Sequence, residues 1–356
     1  MYGEVYFLRA YYYFELVKFF GDVPLFTEAR LTAGQAGTLT RTPKDEVYAQ
    51  IELDLQNAIA SLPNSQSQVG RVNKYTAYAL LGKVLLYQDK FAEAASALDN
   101  VIGVYSLVSD YGSQFLRFGE NGPESVFEIQ YSNQSNWYDW GCAHCSEGNY
   151  AIIMNGPRGW SGPEYAQGWS FNVPTEEFYN SFEEGDSRRD ATVLDIEAFA
   201  AATGASYTEG YDHTGYFNNK YIPRAGESGG QTELNYLTNF RIIRYSDVLL
   251  MAAEAYNRGG IDDGLAQEFL NQVRRRAFGG DDNDISASGS ALTDAIWEER
   301  KFELSLEGHR FFDLVRTGRA SSLIAGFVEG KHEVFPIPQQ EVDISGLTQN
   351  LSLIHI

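Results

Sequence analysis

Apolar residues recur at helical spacing along this chain in pairs of segments separated by short polar turns. In residues 72–107, Gly82 and Leu85 lie on one apolar face and Ala94, Leu98 and Val101 on the next. Asp89 and Lys90 fall between them, the pattern of two antiparallel helices joined by a turn. A second pair spans 240–278, with Ala253 and Tyr256 before a Gly259–Asp263 turn and Ala266, Leu270 and Val273 after it. A third covers 291–319, where Ile296, Trp297, Leu304 and Leu306 alternate with Glu299, Arg300, Glu303 and Glu307. Gly308 interrupts that face, and Phe311, Phe312, Leu314 and Val315 open another. Small and apolar residues in these places follow the spacing of tetratricopeptide repeats. Pairs so far apart in sequence predict a helical-hairpin solenoid broken by a large insertion.

Two further helices are expected upstream. Residues 7–20 are apolar on nearly every side, which predicts a helix buried between neighbours, and Gly21 to Pro24 end it. Thr42 as N-cap and Pro43 at the first position open the next, whose Val47, Ile51, Leu55 and Ile59 repeat up to Pro63. Residues 108–239 differ in character: they are rich in Gly, Asn, Ser and Tyr and hold short β-prone pieces such as 125–131. Stretches this long without regular structure are usually functional. The expected fold is mostly α, a tetratricopeptide-like solenoid in one domain. Residues 1–107 and 240–319 form the helical scaffold, 108–239 an irregular insertion carrying short strands and the ligand site, and 320–356 a closing segment.

A formal charge of −21 would repel a phosphate backbone, so nucleic acid is not an expected partner. No apolar run is long enough to cross a bilayer, and Met1 leads directly into a helical pattern. We therefore expect a chain that starts inside a helix and lacks its export signal. Cys142 and Cys145 form a C-x-x-C pair around His144, one ligand short of a closed zinc site. A local disulfide, free thiols and a metal site all stay open, the first being favoured for an exported protein.

Arg241, Arg244, Asp247, Glu299, Arg300, Glu303, His309, Arg310 and Asp313 are spaced to pair between stacked helices. His309 and Asp313 lack a matching pair of metal ligands elsewhere. Glu298 and Glu299 with Asp313 would be poor glycosidase acids, because neighbouring arginines lower carboxyl pKa values. The tryptophans point elsewhere: Trp137, Trp140, Trp160 and Trp169, four of the five, fall in loop-like sequence. Indoles on loops can stack on the C–H face of a sugar ring, with amides and acids bonding adjacent hydroxyls. Asn133, Asn136, Asp139, Asn149 and Asn155 are the candidates for that second role. The competing expectation is that these aromatics only pack the insertion or meet another protein.

Several strings resemble the SusD/RagB family of outer-membrane glycan-binding lipoproteins. They are residues 7–24 with the Leu16–Pro24 exit, 47–55, 70–86, 124–130, 168–175, 182–188, 241–250, 296–319, and Pro336 to Pro338 with Gln349 and Asn350. The resemblance implies non-catalytic capture of oligosaccharide at the outer-membrane surface and its delivery to a SusC-like TonB-dependent transporter. It also implies no cofactor, and a membrane tie only through a lipid anchor not present in this sequence. Residues 351–356 do not look like a family ending. Trp169 sits in a scaffold-like string and is assigned to packing, which leaves Trp137, Tyr138, Trp140 and Trp160, with Asn136, Asp139, Tyr150 and Arg158, as the expected glycan site. The alternatives are a solenoid binding a peptide or protein in its groove, and a glycoside hydrolase on a helical scaffold.

Overall fold

The structure, a computed structural model, describes residues 1–28, 30–134, 140–229 and 234–350. The protein is mostly helical, with tetratricopeptide-like hairpins and a few short strands. It divides into two compact units, one of Met1–Val101 with the chain from His309 onwards, the other Ile102–Gly308. The predicted third pair is thereby split between units at Gly308.

In the first unit, α1 (Tyr2–Phe20) lies along α2 (Lys44–Ser61), followed by α3 (Lys74–Leu86) and α4 (Phe91–Asp99). Phe7, Ala10, Phe14 and Val17 of α1 and Val47, Ile51, Leu55 and Ala58 of α2 are buried. The expectation that α1 is enclosed on every side fails: Tyr2, Val5, Leu8, Tyr12 and Leu16 form an exposed stripe. Its apolar periodicity was uniform, and only the packing distinguishes the face turned to α2. Thr42 does not cap α2 either, for Asp22 takes that role by accepting from the Lys44 N–H at 2.8 Å. Asn73 and Thr76 form a reciprocal capping box at the start of α3. Gly82 lets α3 and α4 close together, since a Cβ there would lie 2.5 Å from Leu98. Asp89 turns the chain between them with a left-handed φ of 55°.

In the second unit, β1 (Ser125–Ile129) pairs antiparallel with a late strand, β6 (Phe240–Arg244), setting Phe127 opposite Ile243. Between them, β2 (Arg158–Ser161) pairs with β4 (Ser206–Thr208), and β3 (Val193–Asp195) with β5 (Tyr216–Asn218). β6 runs straight into α5 (Tyr245–Arg258), which forms a hairpin with α6 (Asp263–Phe278) and also packs on α7 (Gly289–Glu303). Asp262 caps α6, and Gly279 ends it in the left-handed conformation.

At the centre of this unit lies a web of buried charge. Glu303 accepts from Arg244 at 2.8 Å, Arg276 at 2.6 Å and Arg188 at 3.1 Å. Arg188 also meets Asp186 and Glu299, while Glu299 takes Arg274 at 2.9 Å. Arg244 further binds Glu124 and Glu307, and Lys220 donates to Glu307 at 2.7 Å. Arg188, Lys220, Arg244, Arg274 and Arg276 thus interleave with the buried Glu124, Asp186, Glu299, Glu303 and Glu307, and Arg274 also reaches the half-exposed Glu183 at 3.1 Å. Burial alone would raise the Glu303 carboxyl, but Arg276, Arg244 and Arg188 outweigh it and hold it well below the usual carboxylate range. Arg300 pairs separately with Asp247 at 2.8 Å. Arg241 lies 3.7 Å from Glu128 and also donates to the backbone carbonyls of Asn239 and Gln114, both at 2.6 Å.

Candidate functional site

The irregular part of the second unit has its own aromatic core. Tyr111, Phe115, Ile152, Ile153, Tyr221 and Tyr236 pack together, with Met154, Trp169 and Phe240 against them. The backbone of 168–171 is laid onto 153–157 by four hydrogen bonds of 2.8 Å: Gly168 to Pro157, Trp169 to Ile153, Ser170 to Gly156 and Phe171 to Met154. Only glycines allow so close an approach, since a Cβ on Gly168 would lie 2.3 Å from the Gly156 Cα. Ser170 and Asn172 flank Phe171 with left-handed φ values of 57° and 53°, conformations that persist only where surrounding structure enforces them. Here the Ser170 hydroxyl accepts from the Arg158 N–H, and the Asn172 amide donates to Asn155.

This local geometry creates an open aromatic platform. Trp140 stacks on Trp169 with centroids 5.6 Å apart and planes inclined by 25°. Trp169 meets Phe171 edge-on at 6.3 Å. Trp140 and Phe171 are each 51% exposed, whereas Trp169 is half-buried beneath them. Arg158 borders the rings: its Nε donates to the Trp169 carbonyl at 2.8 Å, and its guanidinium carbon lies 5.7 Å from the Phe171 centroid. Flat apolar faces beside an exposed guanidinium suit a ligand with both C–H faces and hydroxyls.

The other expected site residues fare differently. Asn136, Trp137, Tyr138 and Asp139 lie outside the described residues. Tyr150 is 47% exposed, immediately before the short helix Ala151–Met154. Trp160 belongs to a second hydrophobic cluster, half-buried against Tyr165 and Phe199 at 5.9 Å each, with its indole N–H enclosed. Asn149 and Asn155 are buried and satisfied by the protein itself. Asn149 donates to the Thr238 carbonyl, and Asn155 bonds the carbonyls of Ala151 and Tyr221. Asn133 accepts from Gln134. Trp169, assigned to packing from the sequence, does pack on the aromatic core and also lies under Trp140, while Phe171, not singled out in the sequence, completes the platform.

Cys142 and Cys145 are joined in a disulfide within the 3-10 stretch Trp140–Cys145. His309 lies 3.2 Å from Lys83, and Asp313 pairs with Arg316. No group of three or more His, Cys, Asp or Glu among the described residues is placed to hold a metal ion. Of the carboxylates weighed as glycosidase acids, Glu299 is buried between Arg188 and Arg274, Asp313 pairs with Arg316, and Glu298 is 46% exposed beside Lys301.

A mostly helical chain with hairpin repeats and an exposed aromatic platform fits a binding protein, and sequence comparison defines the class. The chain belongs to the SusD family, whose model matches residues 123–324. A second family model, described as starch-binding associating with the outer membrane, matches residues 1–86. The family is one of non-catalytic binding proteins. Among individual relatives, SusD-like protein P2 of Formosa agariphila is 32% identical over 88% of this chain, and the chain spans 64% of its length. A laminarin-binding SusD-like protein of solved structure is 39% identical, with a TM-score of 0.88 over 98% of this chain and 78% of its own. Surface glycan-binding protein A from Bacteroides thetaiotaomicron, solved in complex with laminarihexaose, is 31% identical with a TM-score of 0.86, over 98% of this chain and 77% of its own. Among the described residues no helix is long and apolar enough to cross a membrane.

Proposed function

We propose that this protein captures a laminarin-type glucan at the surface of the outer membrane and passes it to a SusC-like TonB-dependent transporter, with no bond broken. The observation that carries this reading is the half-exposed Trp140 on Trp169, edged by Phe171 and Arg158. A pyranose lying on the outer indole exchanges water for C–H contact, while Arg158 bonds its hydroxyls. Tyr150 is a further proposed contact, and so are Asn136, Trp137, Tyr138 and Asp139, which lie outside the described residues. Trp160 contributes by packing. Support comes from family membership and from the ligands that two relatives' names carry. Membrane attachment through a lipid and residence at the cell surface belong to the same proposal.

Affinity electrophoresis through gels containing laminarin, starch or no polysaccharide tests it, with Trp140→Ala run beside the wild type. Retardation of the wild type by laminarin, lost in the variant, supports the reading. Equal mobility of the wild type in all three gels removes it. Transfer is tested by co-purification with the SusC-like protein encoded in the same genome, and its absence from pull-downs in mild detergent would count against that step.

A further inference from the structure

The turn that follows β4 packs against the base of the aromatic platform. Arg158 of β2 faces Thr208 of β4 across their antiparallel pair. Beyond Thr208, Gly210 comes so close to the segment joining Trp169 to Phe171 that a Cβ on it would lie 2.8 Å from the Ser170 Cβ and 4.0 Å from the Arg158 Cδ. Any larger residue at 210 would have to displace Ser170 or the turn, so glycine is what admits the approach. Away from the platform the turn is closed by Tyr207 and His213. Their ring centroids lie 5.5 Å apart, the Tyr207 hydroxyl is 3.4 Å from His213 Nε2, and the His213 ring is 6.2 Å from that of Phe217. Tyr207 also packs on the hydrophobic cluster that includes Phe217. Asp212 turns the chain with a left-handed φ of 53°, a conformation that aspartate tolerates. Between Gly210 and Asp212, this braced turn presents Tyr211 at 90% exposure, and Glu209 and Asp212 are exposed as well.

We propose that Tyr211 is a second stacking ring of the glycan site: the turn 207–213 forms a wall beside the Trp140–Trp169 platform, and Tyr211 lies on the sugar next to the one held by Trp140. The proposal rests on the glucan reading above. Successive Cα atoms are about 3.8 Å apart, so Tyr211 departs one residue from the point where the turn touches Ser170. At 90% exposure its ring adds almost no buried apolar area to the fold, whereas a pyranose face laid on it would cover that area. Arg158 stands where wall and platform meet. Its guanidinium only donates hydrogen bonds, while the carboxylates of Glu209 and Asp212 only accept them, so together they serve sugar hydroxyls in both senses. Because Tyr207 and His213 close the turn before any ligand arrives, binding has little backbone left to order there.

Isothermal titration of the whole protein with laminarihexaose tests this, with wild type, Tyr211→Ala, Tyr211→Phe and Trp140→Ala compared. The wall is upheld if Tyr211→Ala weakens binding about fivefold, the scale of one aromatic stacking contact, while Tyr211→Phe stays within about twofold of wild type and thermal unfolding is unchanged in both. It is overturned if Tyr211→Ala binds within about twofold of wild type while Trp140→Ala loses binding, a result that leaves the glucan reading standing. A wild type that binds no laminarihexaose removes the glucan reading and the wall with it.

Discussion

Replacing Glu303 by glutamine should destabilise the second unit severely, although the side chain keeps its shape. Glu303 is fully buried and holds three guanidinium groups, those of Arg244, Arg276 and Arg188. The substitution removes the negative charge on which those three buried guanidinium groups converge. It also turns an amide N–H2 towards arginine donors that need an acceptor. Removing one partner of a buried ion pair costs about 3–5 kcal/mol. At about 2–4 °C per kcal/mol for a unit of this size, the midpoint of thermal unfolding should fall by about 6–20 °C. Glu298→Gln is the control: Glu298 is 46% exposed beside Lys301, and its loss should stay within about 0.5 kcal/mol. Differential scanning calorimetry at neutral pH compares the three proteins. The sign of the pH dependence follows from the depressed Glu303 pKa. Its stabilisation is complete above the unfolded value of about 4.3 and is lost as pH falls through the much lower folded value. The gap between wild type and Glu303→Gln should therefore be constant from pH 7 to about 5 and narrow below about 4. A variant melting within about 2 °C of wild type, or a gap that widens in acid, would refute this account of the charge web.

Gly82→Val should cost about 1–3 kcal/mol through its clash with Leu98, and Leu98→Ala should recover part of it in a double-mutant cycle read by urea unfolding. Burial lowers the Lys220 ammonium to about 8 against the pull of Glu307, so the unfolded chain holds the extra proton and stability should rise between about pH 8 and 10. Above that, Tyr111 and Tyr221, both raised by burial, reverse the sign because the unfolded phenols ionise first; Lys220→Met should abolish the rise in denaturant midpoints. Phe171→Ala should weaken laminarin retention several-fold with little change in melting temperature. Asn149→Ala should do the opposite, lowering stability by about 1–3 kcal/mol because it strips hydrogen bonds from buried backbone groups.

The helical hairpins were readable because their information is local. Gly82, Leu98 and Val101 recur at the spacing of a helix–helix contact, and the turn at Asp89 separates them, so the pattern survives without knowledge of neighbours. Family strings such as 241–250 and 296–319 were equally legible, being dense in charges that only an enclosed network can tolerate. The uniform hydrophobicity of α1 misled, since periodicity cannot say which of several apolar faces finds a partner. Thr42 misled as a cap because Asp22, distant in sequence, reaches the same N–H first. Asn149 and Asn155 looked like ligand amides and instead satisfy backbone carbonyls, a demand invisible until the chain is folded.

By itself the amino-acid order determined the class of fold, the breaks between helices, and the segment where tryptophans gather. Tertiary structure alone decided which rings meet. Trp169, read as scaffold, lies under Trp140, and Phe171 joins them because two backbone segments approach through Gly156 and Gly168. Trp160, from the same sequence cluster, turns into a separate core. Helix periodicity is a property of neighbours three and four residues apart, whereas a platform is a coincidence of surfaces brought together by hydrogen bonds and close packing from distant parts of the chain.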